Sequence, residues 1–133
     1  MFFEKMKPRF SDTDALGHIS NTAIPIWFEG ARDEIFKLFL PDLDLSQWPL
    51  ILAKTEIEFH GQLYYQQEVE IKTYISKLGN SSFQVYQEIW QQAKKCVSGT
   101  ATMVNFCYQT QKSKAITDDI REKLGEHMYN QVE

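Results

Sequence analysis

The sequence is short of most residues that mark a specialised class. It has two cysteines, four prolines, six glycines and three histidines in 133 residues. Two cysteines exclude a scaffold built on disulfides. Cys96 and Cys107 both fall in one expected strand, where their spacing amounts to about 35 Å of extended chain, beyond the reach of a disulfide. Both are expected as free thiols in a reducing compartment, and the cytoplasm is the expected location. Basic residues are also scarce: 14 Lys and Arg against 18 Asp and Glu give a net charge of −4 and a pI near 5.4. No basic stripe exists to meet a run of phosphates, so nucleic acid is not an expected partner. Long apolar runs are missing, which leaves no expected membrane span. The first residues, Met1-Phe2-Phe3-Glu4-Lys5, reach an acid at once and Pro8-Arg9 soon after, so no signal-peptide core is expected. His18, His60 and His127 have no metal-ligand spacing, and no metal is expected.

The residues present suit a core. Apolar residues make up 43% and aromatics 14% of the chain, enough for residues 1–133 to form a single domain burying about two-thirds of the unfolded surface. Residues 2–10 read as a short strand with Phe2, Met6, Pro8 and Phe10 on one side; Pro8 favours an edge. Between Thr22 and Leu40, Ile24, Trp27, Phe28, Ala31, Ile35, Leu38 and Phe39 form an unbroken helical stripe, ended by Pro41. Ser20 or Asn21 is placed to cap that helix, and Pro25 is tolerated in its first turn.

Four strands then follow without an intervening helix, at 50–60, 67–77, 82–92 and 95–109. In the first, Ile51, Ala53, Thr55, Ile57 and Phe59 alternate with Lys54, Glu56, Glu58 and His60. Gly79-Asn80 makes the second turn, Gln91-Gln92-Ala93-Lys94 reads as a looser connection, and Gly99 is a candidate bulge. A last amphipathic helix is expected over about 117–128, with Ile120, Leu124 and Met128 inward. Short turns between successive strands imply an antiparallel meander. The expected fold is therefore α+β, with a five-stranded antiparallel sheet wrapped around one long helix. Such a sheet leaves edges that a second copy of the chain would cover.

Chemistry concentrates in one loop. Asp12-Thr13-Asp14-Ala15-Leu16-Gly17-His18-Ile19-Ser20-Asn21 places two carboxylates, a glycine and a histidine directly before the long helix, whose first N–H groups lack helical partners. A carboxylate here can act as base or nucleophile, and the backbone N–H near Asn21 can polarise a carbonyl. The same residues also suit plain structural roles. Asp12 and Asp14 are good turn and cap residues, Gly17 a residue for positive φ, and His18 a group that packs or caps the loop. Glu29 and Arg32 read as a surface pair three apart on the helix.

Arg9-Phe10-Ser11-Asp12-Thr13-Asp14-Ala15-Leu16-Gly17-His18-Ile19-Ser20-Asn21, running into Trp27-Phe28-Glu29-Gly30-Ala31-Arg32, resembles the hotdog-fold acyl-CoA thioesterases, and within them the 4-hydroxybenzoyl-CoA thioesterase-like family. The order of elements and the Gly79-Asn80-Ser81-Ser82-Phe83 turn extend the likeness over nearly the whole chain. Ser20-Asn21 stands where the family usually has Asn-Asn, and His60-Gly61-Gln62-Leu63-Tyr64-Tyr65 where it usually has a proline-containing turn.

The resemblance implies a dimer or tetramer with active sites at the dimer interface, a coenzyme A thioester as substrate, and no cofactor. It implies that Asp14 is the catalytic carboxylate, with the Asn21 backbone N–H and His18 as further catalytic candidates. Gly17, Ser20, Glu58, His60, Lys77, Ser81 and Ser82 are the candidate substrate contacts. The turn carrying Lys77, Ser81 and Ser82 lies near the nucleotide in similar proteins, and a lysine beside serine N–H groups suits phosphate. Two other activities fit the same residues: hydration or dehydration of acyl thioesters, with His18 paired to an acid, and acyl-CoA binding without turnover.

Overall fold

A computed structural model describes residues 1–130. The chain runs β1 (Phe2–Met6), α1 (Ala23–Gly30), α2 (Asp33–Phe39), β2 (Leu50–Phe59), β3 (Val69–Leu78), β4 (Ser82–Gln91), β5 (Lys94–Cys107), β6 (Lys112–Ser113) and α3 (Asp118–Gly125). The five long strands form an antiparallel sheet in the order β1-β3-β4-β5-β2, and two-residue β6 adds to β5. The helices cover one face of this sheet. Alternation places Val69, Ile71, Ile75, Phe83, Val85, Ile89, Val97, Ala101 and Met103 against them, all buried. Ile24, Trp27 and Phe28 fill one half of that core, and Ile35 and Phe36 fill the other.

The stripe over 22–40 folds as two helices rather than one. Ala31 N–H still reaches back four residues to Trp27 O, but Arg32 N–H bonds Glu29 O, only three back. The Phe28 carbonyl is thereby released from the helix, and the side chain of Gln87, on β4, donates to it at 2.9 Å. Gly30, a weak helix former, sits at the break. The apolar period continues through the interruption, which is why periodicity alone reads one helix.

Other boundaries differ for local reasons. β1 stops at Met6, and Phe10 lies in a single 3₁₀ turn with its ring exposed. Among the described residues β2 is an edge strand bonded only to β5. Its register shifts between Leu52 and Lys54, so Leu50 and Ile57 face the core from opposite parities while Phe59 is exposed. The single apolar face expected for that strand is thus split.

Gly99 is not a bulge: it pairs regularly with Gln87 and Ile57. A Cβ there would lie 2.9 Å from Phe28 Cε2 and 3.0 Å from Glu56 O, so the glycine lets α1 rest on the sheet. The β4–β5 connection is tight, with Gln91 paired to Lys94 and both Gln92 (φ 51°) and Ala93 (φ 60°) left-handed. Without a glycine it carries no sequence signature of such a turn. α3 ends at Gly125, and Met128 instead bridges Ile75 as the chain passes alongside β3. Cys96 and Cys107 are free thiols, as expected.

Candidate functional site

The loop between β1 and α1 is a small closed hairpin. Asp14 N–H donates to His18 O at 2.8 Å, and Thr13 bridges Ile19 across it. Gly17 turns the chain at φ +82°, with open space where a Cβ would stand; the glycine answers a backbone need, not a packing one. The hairpin is anchored at its base by Ser20 N–H to Asp12 O (2.7 Å) and Ile19 N–H to Leu63 O (2.9 Å).

The two carboxylates have different surroundings. Asp12 is buried and accepts the Arg9 backbone N–H at 2.8 Å, the role of a turn-holding acid. Asp14 is exposed. Its Oδ1 accepts the backbone N–H groups of Leu16 (2.8 Å) and His18 (3.1 Å), an arrangement that fixes the carboxylate plane. Among the described residues nothing donates to its Oδ2.

The His18 ring makes no hydrogen bond to Asp14; it packs edge-on against Tyr64 at 5.4 Å, on a chain segment His18 also bridges. Ser20 Oγ accepts Thr22 N–H at 3.3 Å and contacts Thr22 Oγ1 at 2.8 Å, while Thr22 itself takes the capping position of α1. Asn21 lies at the surface in the turn that enters the helix, and its backbone N–H has no acceptor among the described residues. Asp14, Gly17, His18, Ser20 and Asn21 therefore lie on one closed hairpin and its exit into α1, Asp14 opposite His18 toward the tip and Ser20 opposite Asp12 at the base.

The remaining candidates separate. Glu58 pairs with Ser98 across the β2–β5 ladder, and His60 Nε2 lies 2.8 Å from Ser98 Oγ. Both lie at the loop's end of the sheet, but on the face turned away from the helices. Lys77, Ser81 and Ser82 belong to the β3–β4 turn. That turn is held by Arg121 Nη2 on Gly79 O (2.8 Å) and by Asn105 N–H on Ser81 O (2.8 Å). β3 begins beside Leu63, in the cluster that holds Ile19, and ends at this turn, roughly 30 Å of strand away. Within one chain the turn does not reach Asp14.

Arg32 is placed differently from its sequence reading. It is 5% exposed, pairs with no carboxylate among the described residues, and donates from Nη1 to Gln87 Oε1 at 3.2 Å. Its Nε is buried with no partner among the described residues. Burial pushes the guanidinium below the ordinary arginine range, and nearby Glu29 partly offsets the effect. The signal was available in the sequence: Arg32 falls four after Phe28 and three before Ile35, on the buried arc of the stripe.

Gln87 is fixed at all its polar atoms, by Arg32, Phe28 O and Thr73 Oγ1. Cys96 is buried, and that burial raises its thiol pKa, the wrong direction for a nucleophile. No group of three His, Cys, Asp or Glu among the described residues can hold a metal ion. No described helix is long and apolar enough to cross a membrane.

The family model of the thioesterase-like superfamily matches residues 8–124, from just before this loop to the end of the last helix. The chain belongs to the thioesterase-like superfamily. A solved structure, that of a predicted thioesterase from Bacillus stearothermophilus, is 43% identical over 98% of both chains with a TM-score of 0.95. A thioesterase from Thermus thermophilus, solved with coenzyme A and Zn, shares the fold at 23% identity and a TM-score of 0.81, over 92% of this chain and 95% of that one. The uncharacterized Bacillus subtilis (strain 168) protein YsmA is 29% identical over 92% of this chain and 84% of its own length. Membership makes thioester hydrolysis the general activity and bears out the hotdog resemblance read from the Asp12–Asn21 loop.

Proposed function

We propose that the protein hydrolyses acyl-coenzyme A thioesters at the Asp14 loop. The observation that carries this reading is the state of Asp14: one carboxylate oxygen held by two backbone N–H groups, the other unengaged among the described residues, on a loop that leads straight into α1. A carboxylate so held is oriented before substrate arrives, and its second oxygen has a lone pair to use.

In the proposed reaction the thioester carbonyl oxygen accepts the Asn21 backbone N–H, which stabilises the oxyanion as it forms. Asp14 either takes a proton from the attacking water or attacks the carbonyl itself to form an anhydride that water then opens. In both routes a C–O bond forms, the C–S bond breaks, and coenzyme A leaves as the thiol with the carboxylic acid as second product. No metal or other cofactor enters the reaction. His18, held by Tyr64, together with Gly17 and Ser20, borders the reacting centre.

The proposal also requires a second copy of the chain. β2 is an edge strand with an unpaired side and with Leu52 and Phe59 exposed, which suits pairing across a dimer. Across such a dimer the Lys77–Ser82 turn, Glu58 and His60 of one copy would serve the loop of the other, and a tetramer is compatible with the outer sheet face. The cytoplasm, where Cys96 and Cys107 stay reduced, is the proposed location. The test is thiol release from a panel of acyl-CoA thioesters by the wild type, Asp14→Asn and Asp14→Ala. Loss of turnover in both folded variants supports the reading; undiminished turnover in both ends it.

A further inference from the structure

An apolar groove of about 450 Å³ lies between α1–α2 and the start of β2. Ile26, Phe36, Leu45, Trp48 and Leu50 supply apolar walls, and Arg32 lines the same groove. Phe36 and Trp48 meet edge-on at 5.0 Å, which gives one end a rigid aromatic boundary. Along α1 the groove starts at Ile26, five residues past Asn21 and so about 8 Å further along the axis at the helical rise. The loop residues do not line the groove, so an acyl chain whose carbonyl sits at the Asn21 N–H would cross that stretch of α1 to enter at Ile26 and end beside the break at Arg32.

Arg32 is the anomaly in this track. A cation left only 5% exposed normally has a carboxylate partner or hydrogen bonds on every donor. Here one donor reaches Gln87 and the Nε–H is left without an acceptor among the described residues. Gln87 cannot turn to help, because its amide is committed to Phe28 O and Thr73. A buried unmade donor costs stability, and an acceptor brought by a ligand recovers that cost. Glu29 and Asp33 also line the groove, so the nearby charge is net negative. A neutral acceptor is favoured over a third carboxylate.

Resting on the thioesterase reading, we infer that Arg32 is a specificity residue, and that the preferred substrates are apolar acyl groups carrying a hydroxyl or keto oxygen that accepts from its guanidinium. The apolar walls hold the chain. Arg32 selects for the oxygen and for its distance from the thioester.

The test uses medium-chain acyl-CoA thioesters of one length, unsubstituted or with a single hydroxyl walked along the chain, assayed by thiol release. One hydroxyl position is expected to exceed the parent by about 10-fold in kcat/KM, and Arg32→Met is expected to bring that ratio to within about 2-fold of unity. No preference in the wild type, or the same preference in the folded variant, overturns the inference. Should Arg32→Met not fold, Leu45→Trp at the exposed mouth of the groove takes its place. It is expected to lower the ratio of medium-chain to acetyl turnover about 10-fold; an unchanged ratio overturns the groove assignment.

Absence of turnover across the whole panel is failure of the thioesterase reading. The inference is then read from binding alone, by quenching of Trp48 fluorescence with a brominated hydroxy acid and its brominated parent, with Trp48→Phe as the background. Tighter binding of the hydroxy acid supports the inference, and equal binding overturns it.

Discussion

The side-chain amide of Gln87 donates a 2.9 Å hydrogen bond to the backbone carbonyl of Phe28, so a residue of the sheet completes the hydrogen bonding of a broken helix. The same amide oxygen accepts from Arg32, which fixes a buried cation at the break. Gln87→Leu keeps similar bulk but strips partners from Phe28 O, Thr73 and Arg32 at once. The variant is expected to lose about 3 kcal/mol of stability, read from the midpoint of urea unfolding at constant slope. A loss below about 1 kcal/mol would show that the break is held by packing alone.

Asp14 is the residue on which the activity is expected to turn. Asp14→Asn keeps a side-chain oxygen that can accept from Leu16 and His18, so the loop geometry survives while the base or nucleophile is removed. Turnover of the best acyl-CoA is expected to fall by about 100-fold or more. The exposed position makes the expected stability change within about 0.5 kcal/mol. Circular dichroism and thermal melting on the same preparations separate lost chemistry from lost fold.

The β4–β5 turn stores backbone strain. Gln92 and Ala93 both hold positive φ, the I′ form of the two-residue loop between paired Gln91 and Lys94. Ala93→Gly relieves a left-handed alanine at some entropic cost in the unfolded chain. The net gain is expected to be about 1 kcal/mol, seen as a rise in Tm without a change in kcat/KM. A fall in Tm would contradict the strain.

Stability is expected to decline on mild acidification through His127. Burial pushes its pKa down from 6.5, and the Met1 ammonium, 2.9 Å from Nδ1, adds to the effect. The unfolded chain therefore binds the proton more readily than the folded one. The contribution is complete above the ordinary value and is lost as pH falls from about 6.5 toward the lowered folded pKa. His127→Phe, which keeps the stacking on Phe2, is expected to flatten this part of the pH–stability profile measured by urea unfolding.

Much of this was legible in the residues. The helical period over 22–40, the alternation of β3 and β4, and the turn at Gly79-Asn80 are each set by a few neighbouring residues, enough to name the type of element though not the break within the helix. The Asp12–Asn21 loop was legible as a candidate site because functional groups and a helix start coincide there. Its closed form was not. The Asp14 Oδ1 bonds are local, but the base of the hairpin is anchored by Ile19 N–H on Leu63 O, a group remote in sequence that no local spacing encodes. Arg32 was misplaced because charge suggested a surface, although its phase on the helix was that of Phe28 and Ile35.

What the sequence by itself determined is therefore the kind and order of the main elements, and a loop that gathers candidate functional groups, since periodicity and turn composition act over a few neighbouring residues. Tertiary structure decided the helix break, the split face of β2, the regular pairing of Gly99 and the distance between the Asp14 loop and the Lys77–Ser82 turn. Each of these depends on a group remote in sequence: Gln87 against Phe28, Met103 and Thr102 against the shifted β2, Phe28 over Gly99, and the full length of β3 between two ends of the sheet. Hydrogen bonds and close contacts across the sheet set them, and the local pattern carries no record of such partners.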